Sequence, residues 1–151
     1  MKRRLLLPMA IVTSLVATAL HAGSPEQDKA FVEKYKDAFE AGDKATLQSF
    51  LYTENANPMV LEFYRMMQTD GAGQKIARIE LVDLSPDDVK KADATMDGPG
   101  GQKLRLPLKP VKKLKITFGQ KTADTSSTSS SETFIAEKDG KYVIPVPVSA
   151  K

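Results

Sequence analysis

The sequence predicts an α+β domain: three N-terminal helices packed on an antiparallel sheet of about four strands. Three observations carry that expectation. Apolar residues recur at helical spacing as far as Gln68 and at every second position from Ile76 onward. Asp139-Gly140 stands between two alternating runs, the pattern of a tight hairpin. Helices first and strands afterwards is the order of a sheet packed on helices, not of alternating βα units.

The stretch from Ser24 to Tyr52 organises the chain. Ser24, Pro25 and Gln27 form a capping-box pattern with proline at the first helical position. Phe31, Val32, Tyr35, Ala38 and Phe39 then share one stripe, with Lys29, Glu33, Lys36, Asp37 and Glu40 opposite. Gly42 supplies a left-handed stop and Asp43 the cap of a second helix, in which Leu47, Phe50 and Leu51 fall together. Asn57-Pro58 opens a third helix to about Gln68, whose apolar side is read as Val60, Phe63, Tyr64 and Met67. Ile76–Leu84 reads as a strand, and Ser85-Pro86-Asp87-Asp88 as the cap of a helical turn reaching about Lys91. Lys103–Leu108 alternates, but Pro107 and Pro110 mark it as an edge or interrupted strand. In Lys112–Gln120, Leu114, Ile116 and Phe118 face inward and Lys113, Lys115 and Thr117 outward. Residues 122–131, TADTSSTSSS, bury nothing apolar and read as a flexible polar loop. Glu132–Glu137 and Lys141–Val146 pair around Asp139-Gly140, and Pro145 and Pro147 end the last strand.

Ala41-Gly42-Asp43 followed by Leu47, and the closing Asp139-Gly140-Lys141-Tyr142, resemble the opening and the final hairpin of the NTF2-like superfamily, the SnoaL and ketosteroid-isomerase-like fold. The resemblance spans residues 23–151 and implies a cone: helices against a curved sheet, an apolar pocket between them, and homodimers through the outer sheet face. Within that pocket it points to Tyr35, Phe39, Phe63 and Tyr64. The superfamily hosts many functions, so the resemblance implies a scaffold before it implies a reaction.

Residues 1–22 read as a secretory signal peptide: Lys2, Arg3 and Arg4, an apolar run from Leu5 to Leu20, then small residues. Cleavage is expected after Ala22, or after Ala19, giving an exported protein, periplasmic or extracellular. The rival is an uncleaved membrane anchor, for which the apolar run is short. The chain has 22 basic and 19 acidic residues; three basic ones leave with the leader, so the mature domain is close to neutral. That charge balance argues against nucleic acid as a partner.

The single histidine, His21, lies in the leader, and the chain has no cysteine or tryptophan. Residues 23–151 therefore lack the side chains for Ser-His-Asp or Cys-His catalysis and for a typical zinc site, and the sequence predicts no metal and no cofactor. Three functions remain. The first is a non-catalytic domain binding a small apolar ligand or a protein partner. The second is an isomerase- or cyclase-like enzyme in which Tyr35 or Tyr64 works with an Asp or Glu. The third is an envelope-associated protein meeting an anionic polymer through a lysine-rich face, with Lys103, Arg105, Lys113 and Lys115 as contacts in a run that includes Lys109 and Lys112. The plainer reading of those lysines is a solvated sheet face guarded against strand pairing.

Overall fold

The three cap residues start the three helices where the sequence places them. In the computed structural model, which describes residues 23–121 and 126–151, α1 spans Pro25–Ala41, α2 Lys44–Ser49 and α3 Pro58–Thr69. Residues 1–22, read from the sequence as a signal peptide, lie outside the described residues. The Ser24 hydroxyl accepts from the Gln27 amide at 3.2 Å, but the Gln27 side chain does not close a capping box; it donates to the Gly140 carbonyl at 3.2 Å, tying α1 to the far hairpin. Gly42, at φ 68°, ends α1 and lets the Asp43 amide turn back onto the Ala38 carbonyl at 2.8 Å. A fourth helix, α4 (Pro86–Asp93), carries a full capping box between Ser85 and Asp88.

The strands are β1 (Leu51–Tyr52), β2 (Arg78–Asp83), β3 (Met96–Asp97), β4 (Lys103–Arg105), β5 (Pro110–Lys121), β6 (Ser126–Lys138), β7 (Lys141–Pro145) and β8 (Val148–Ser149). They form two sheets, β1-β7-β6-β5-β2 and β3-β4-β8. The expected antiparallel sheet of about four strands is thus mixed and five-stranded, because the end of α2 runs into β1, which lies parallel to β7. The Ile144 amide donates to the Phe50 carbonyl at 2.8 Å and the Val146 amide to Tyr52 at 3.2 Å. Of the two readings of Lys103–Leu108 the interrupted strand holds and the edge does not: β4 stops at Arg105 and is the centre of the small sheet, flanked by β3 and by β8, which follows the two prolines expected to end the chain's last strand. The strand at Ile76 starts two residues late, at Arg78; Ile76 is buried ahead of it, its amide donating to Glu40 Oε1 at 3.0 Å.

The polar run departs most from expectation. Ser126–Ser131 is strand, paired residue by residue with Ile116–Lys121, so that half of the expected loop is a two-stranded ribbon; residues 122–125 lie outside the described residues. Its serines need no burial because β5 supplies the ladder partner. The core lies between α1–α3 and the inner face of the large sheet: Leu47, Ile135 and Val146 are fully buried, and Phe31, Tyr35, Phe39 and Phe50 close over Leu114, Ile116 and Tyr142. Among the described residues no helix is long and apolar enough to cross a membrane.

Truncating Leu47 to alanine opens a void where collapse is blocked on all sides, and should cost about 2–5 kcal/mol in urea unfolding. The Ser85 backbone amide, then its hydroxyl, and Lys113 hold the Asp88 carboxyl at about 2, below its ordinary 3.8. A depressed acid stabilises above its ordinary range and loses that contribution as pH falls through the folded value. Asp88→Asn should therefore flatten the acid limb of the melting temperature between about pH 4 and pH 2.

Candidate functional site

The site is built around α3. Its cap, Asn57, accepts the Met59 and Val60 amides on Oδ1 at 3.1 and 3.4 Å, while its Nδ2 donates to Gln102 Oε1 at 2.7 Å. Its backbone amide donates to the Pro147 carbonyl at 3.2 Å. One side chain thus starts the helix and fixes it to the segments around β4 and β8. The inward line of α3 is Val60, Tyr64 and Gln68, four residues apart, not the Val60, Phe63, Tyr64 and Met67 side expected from the sequence. Gln68 takes the buried place because its amide reaches the Leu47 carbonyl at 3.4 Å. Phe63 and Met67 are displaced to solvent with Met59 and Met66, at 47–62% exposure.

Tyr64 borders three hollows. The outer one, about 330 Å³, lies between α3 and the small sheet, against Val60, Phe63, Met96, Leu104 and Pro147. The inner one, about 160 Å³, lies between α3, α1 and the large sheet, against Tyr35, Phe39, Gln68, Ile116 and Phe118. A third, about 130 Å³, sits against Met67, Leu106, Phe134 and Ile144. Of the expected pocket residues, Tyr35, Phe39 and Tyr64 share the inner hollow, and Phe63 lies on the opposite side of Tyr64. Gly98 shapes the outer hollow: a Cβ there would fall 2.5 Å from Leu104 Cδ1 and push that side chain aside. Two larger clefts lie away from α3: one of about 430 Å³ between α1, the end of α2 and the β6–β7 hairpin, against Phe31, Phe50, Tyr142 and Val143, and an open one of about 590 Å³ between α1 and α2, against Lys34, Asp37 and Thr46.

Burial pushes the Tyr35 phenol up to about 12, against an opposing hydrogen bond from Gln68, and burial raises Tyr64 as well. Both are therefore neutral hydroxyls at ordinary pH. Asp70 and Glu132 reach the edge of the inner hollow, but Asp70 is exposed and Glu132 is held by Lys113 at 2.7 Å. Among the described residues neither Tyr35 nor Tyr64 has a carboxylate hydrogen-bond partner.

A tyrosine–carboxylate pair exists elsewhere. The Tyr142 hydroxyl donates to Asp28 Oδ1 at 2.6 Å, and Lys112 Nζ to Asp28 Oδ2 at 2.6 Å. Burial opposes ionisation of Asp28, yet Lys112 and Tyr142 outweigh it and hold the carboxyl below its usual range. Tyr142 is raised by burial first and by Asp28 next. The sequence reading missed this cluster. Lys112 was grouped with the solvated lysines, whereas a bulge between Pro110 and Lys112 leaves it opposite Ile135 on the helix side. Its shared parity with Leu114 and Ile116 was the available signal.

The lysines expected to form one basic face do not assemble. Lys103 and Arg105 belong to the small sheet and Lys113 and Lys115 to the large one. Lys103 pairs with Asp97, Lys113 with Asp88 at 3.1 Å and Glu132 at 2.7 Å, and Lys115 lies 4.0 Å from Glu132. Among the described residues no group of histidine, cysteine or acidic side chains is arranged to hold a metal.

No protein-family model matches the sequence, and no curated protein matches it. A solved structure named Rd1NTF2_05, in a variant with five substitutions, aligns with 83% of this chain and 99% of its own at 12% identity, with a TM-score of 0.38. That degree of likeness decides nothing about the site.

Tyr35→Phe should delete a phenol ionisation near pH 12 from the ultraviolet titration and leave the earlier phenols in place. Loss of an ionisation near the ordinary value of 10 instead would mean that Tyr35 is open to solvent.

Proposed function

We propose that this chain is an exported NTF2-like domain whose work is to bind a small apolar ligand at α3, in the outer hollow beside Tyr64. The observation that carries the reading is the 330 Å³ space lined by Val60, Phe63, Met96, Leu104 and Pro147. That volume is at the lower end of small-molecule sites, which are about 300–1,000 Å³. The lining is mostly apolar, and its one carboxylate, Asp97, is paired with Lys103, so selection is chiefly by shape and hydrophobicity. Met96 in its wall can adapt to irregular ligands. Tyr64, protonated and wedged between the outer and inner hollows, is the residue through which occupancy of one is felt in the other.

Catalysis of the isomerase type finds less support. It needs a carboxylate base beside a tyrosine in the pocket. Asp28, which meets the buried Tyr142, is already engaged by Lys112, and Asp97, which borders the outer hollow with Tyr64, is engaged by Lys103. Export rests on the leader's composition, and the NTF2-like assignment on the order of helices and strands together with the Gly42-Asp43 and Asp139-Gly140 turns.

Titration with a neutral naphthylamine probe tests the reading. Binding should saturate in the micromolar range, and Phe63→Glu should weaken it by about tenfold or more, because a charge at an apolar mouth must be desolvated. Phe63 is 51% exposed, so that variant should fold normally. Equal probe affinity in the two proteins would move the site elsewhere.

A further inference from the structure

Gly23 lies directly over the hydroxyl of Tyr142. Its φ is +56°, and a Cβ there would fall 1.6 Å from the hydroxyl oxygen and 3.1 Å from Asp28 Oδ1, so neither the space nor the backbone admits another residue. Its nitrogen, about 2.5 Å from that Cβ position, is therefore within about 6 Å of the Asp28 carboxylate. The charges around this point do not balance. Asp28 comes from α1, Asp83 from β2 and Glu137 from β6, while Lys112 of β5 lies 2.6 Å from Asp28 and 3.9 Å from Asp83. The Tyr142 hydroxyl of β7 is neutral and feels both Asp28 and Glu137. Among the described residues two carboxylates, Asp28 and the solvent-exposed Asp83, thus share the one ammonium group of Lys112.

We propose that removal of the leader between Ala22 and Gly23 makes the second cation: the new α-ammonium of Gly23 settles beside Asp28 and fastens the start of α1 to β7. The proposal rests on the export reading. Hydrolysis by a leader-removing peptidase adds water across the Ala22–Gly23 peptide bond, leaving a carboxylate on Ala22 and an amine on Gly23. That amine is protonated below about pH 8. In the uncleaved chain the same nitrogen is a neutral amide. Cleavage after Ala19 would instead place the charge on Leu20, three residues and up to about 10 Å of chain away. Of the two cuts, the one after Ala22 places the charge beside Asp28, and it supplies the one cation that Asp28 and Asp83 lack against Lys112.

The test starts from the full-length precursor expressed for export and the processed protein purified from it. Intact mass should give Gly23 as the first residue; Leu20 overturns the proposal, and an uncleaved product overturns the export reading together with it. Selective acetylation of the α-amine should lower the melting temperature near pH 6.5 by roughly 3–5 °C. The ammonium is favoured by its carboxylate neighbours, so its contribution is full below about pH 8 and is lost as pH rises. The difference between free and acetylated protein should vanish by about pH 10.5. In Asp28→Asn the acetylation effect should disappear; if that variant does not fold, Glu137→Gln must shrink it. A Gly23 terminus whose acetylation leaves the melting temperature unchanged overturns the latch alone and leaves the export reading standing.

Discussion

Tyr142 is held by two forces that seldom serve one side chain together, and the placement of α1 depends on both. Its ring stands edge-on to Phe31 at 5.6 Å, inside the cluster that Phe31 continues to Phe50 at 5.2 Å. Its hydroxyl donates to Asp28 one turn away on the same helix. Ring packing is insensitive to small rotations of a helix about its axis, whereas a 2.6 Å hydrogen bond is not. The hydrophobic contact therefore supplies the bulk of the attraction and the hydrogen bond sets the angle. With α1 set, Tyr35 and Phe39 reach the inner hollow, and Gln68 of α3 has a neighbour to lie against.

The same division of labour recurs at the other end of the helical layer. Asn57 orients α3 by polar contacts to Met59, Val60, Gln102 and the Pro147 carbonyl, while Val60 supplies the burial. Between these two polar anchors the helix packs through Val60, Leu61, Tyr64 and Gln68 and leaves Met59, Phe63, Met66 and Met67 outward. The outer hollow goes with that arrangement: the flank of the helix that carries Phe63 is not closed against the small sheet.

Much of the local structure was legible in the residues. Ser24, Asp43, Asn57 and Ser85 each opened a helix because a short polar side chain ahead of a helical run has one efficient use, capping free amides. Asp139-Gly140 turned the last hairpin for a similar reason, both residues taking positive φ. What periodicity could not show were features set by partners distant in sequence. The small sheet is made of strands two or three residues long, held by pairings such as Leu104 with Ser149. The inward line of α3 is one such feature, because Gln68 is buried only where the Leu47 carbonyl awaits it. At Lys112 charge is a poor guide to exposure, because 84 residues separate it from the aspartate that compensates its burial.

The ribbon of β5 and β6 has a property that its composition imposes. From Ile116 inward toward the core, register is enforced by burial: moving β6 by one residue would turn Ile135 out and Phe134 in. Beyond that point Ser127, Ser129, Ser130 and Ser131 offer nearly identical side chains to β5, so a slide by two residues exchanges one hydroxyl for another at no cost in packing. The outer half of the hairpin is therefore aligned by the inner half, like the free end of a ruler clamped at its base. β7 pairs with β6 from Ala136 to Lys138, so that among the described residues the serine-rich flank of β6 has no strand paired on that side. An incoming strand would find backbone groups there but no side-chain pattern to tell it where to stop.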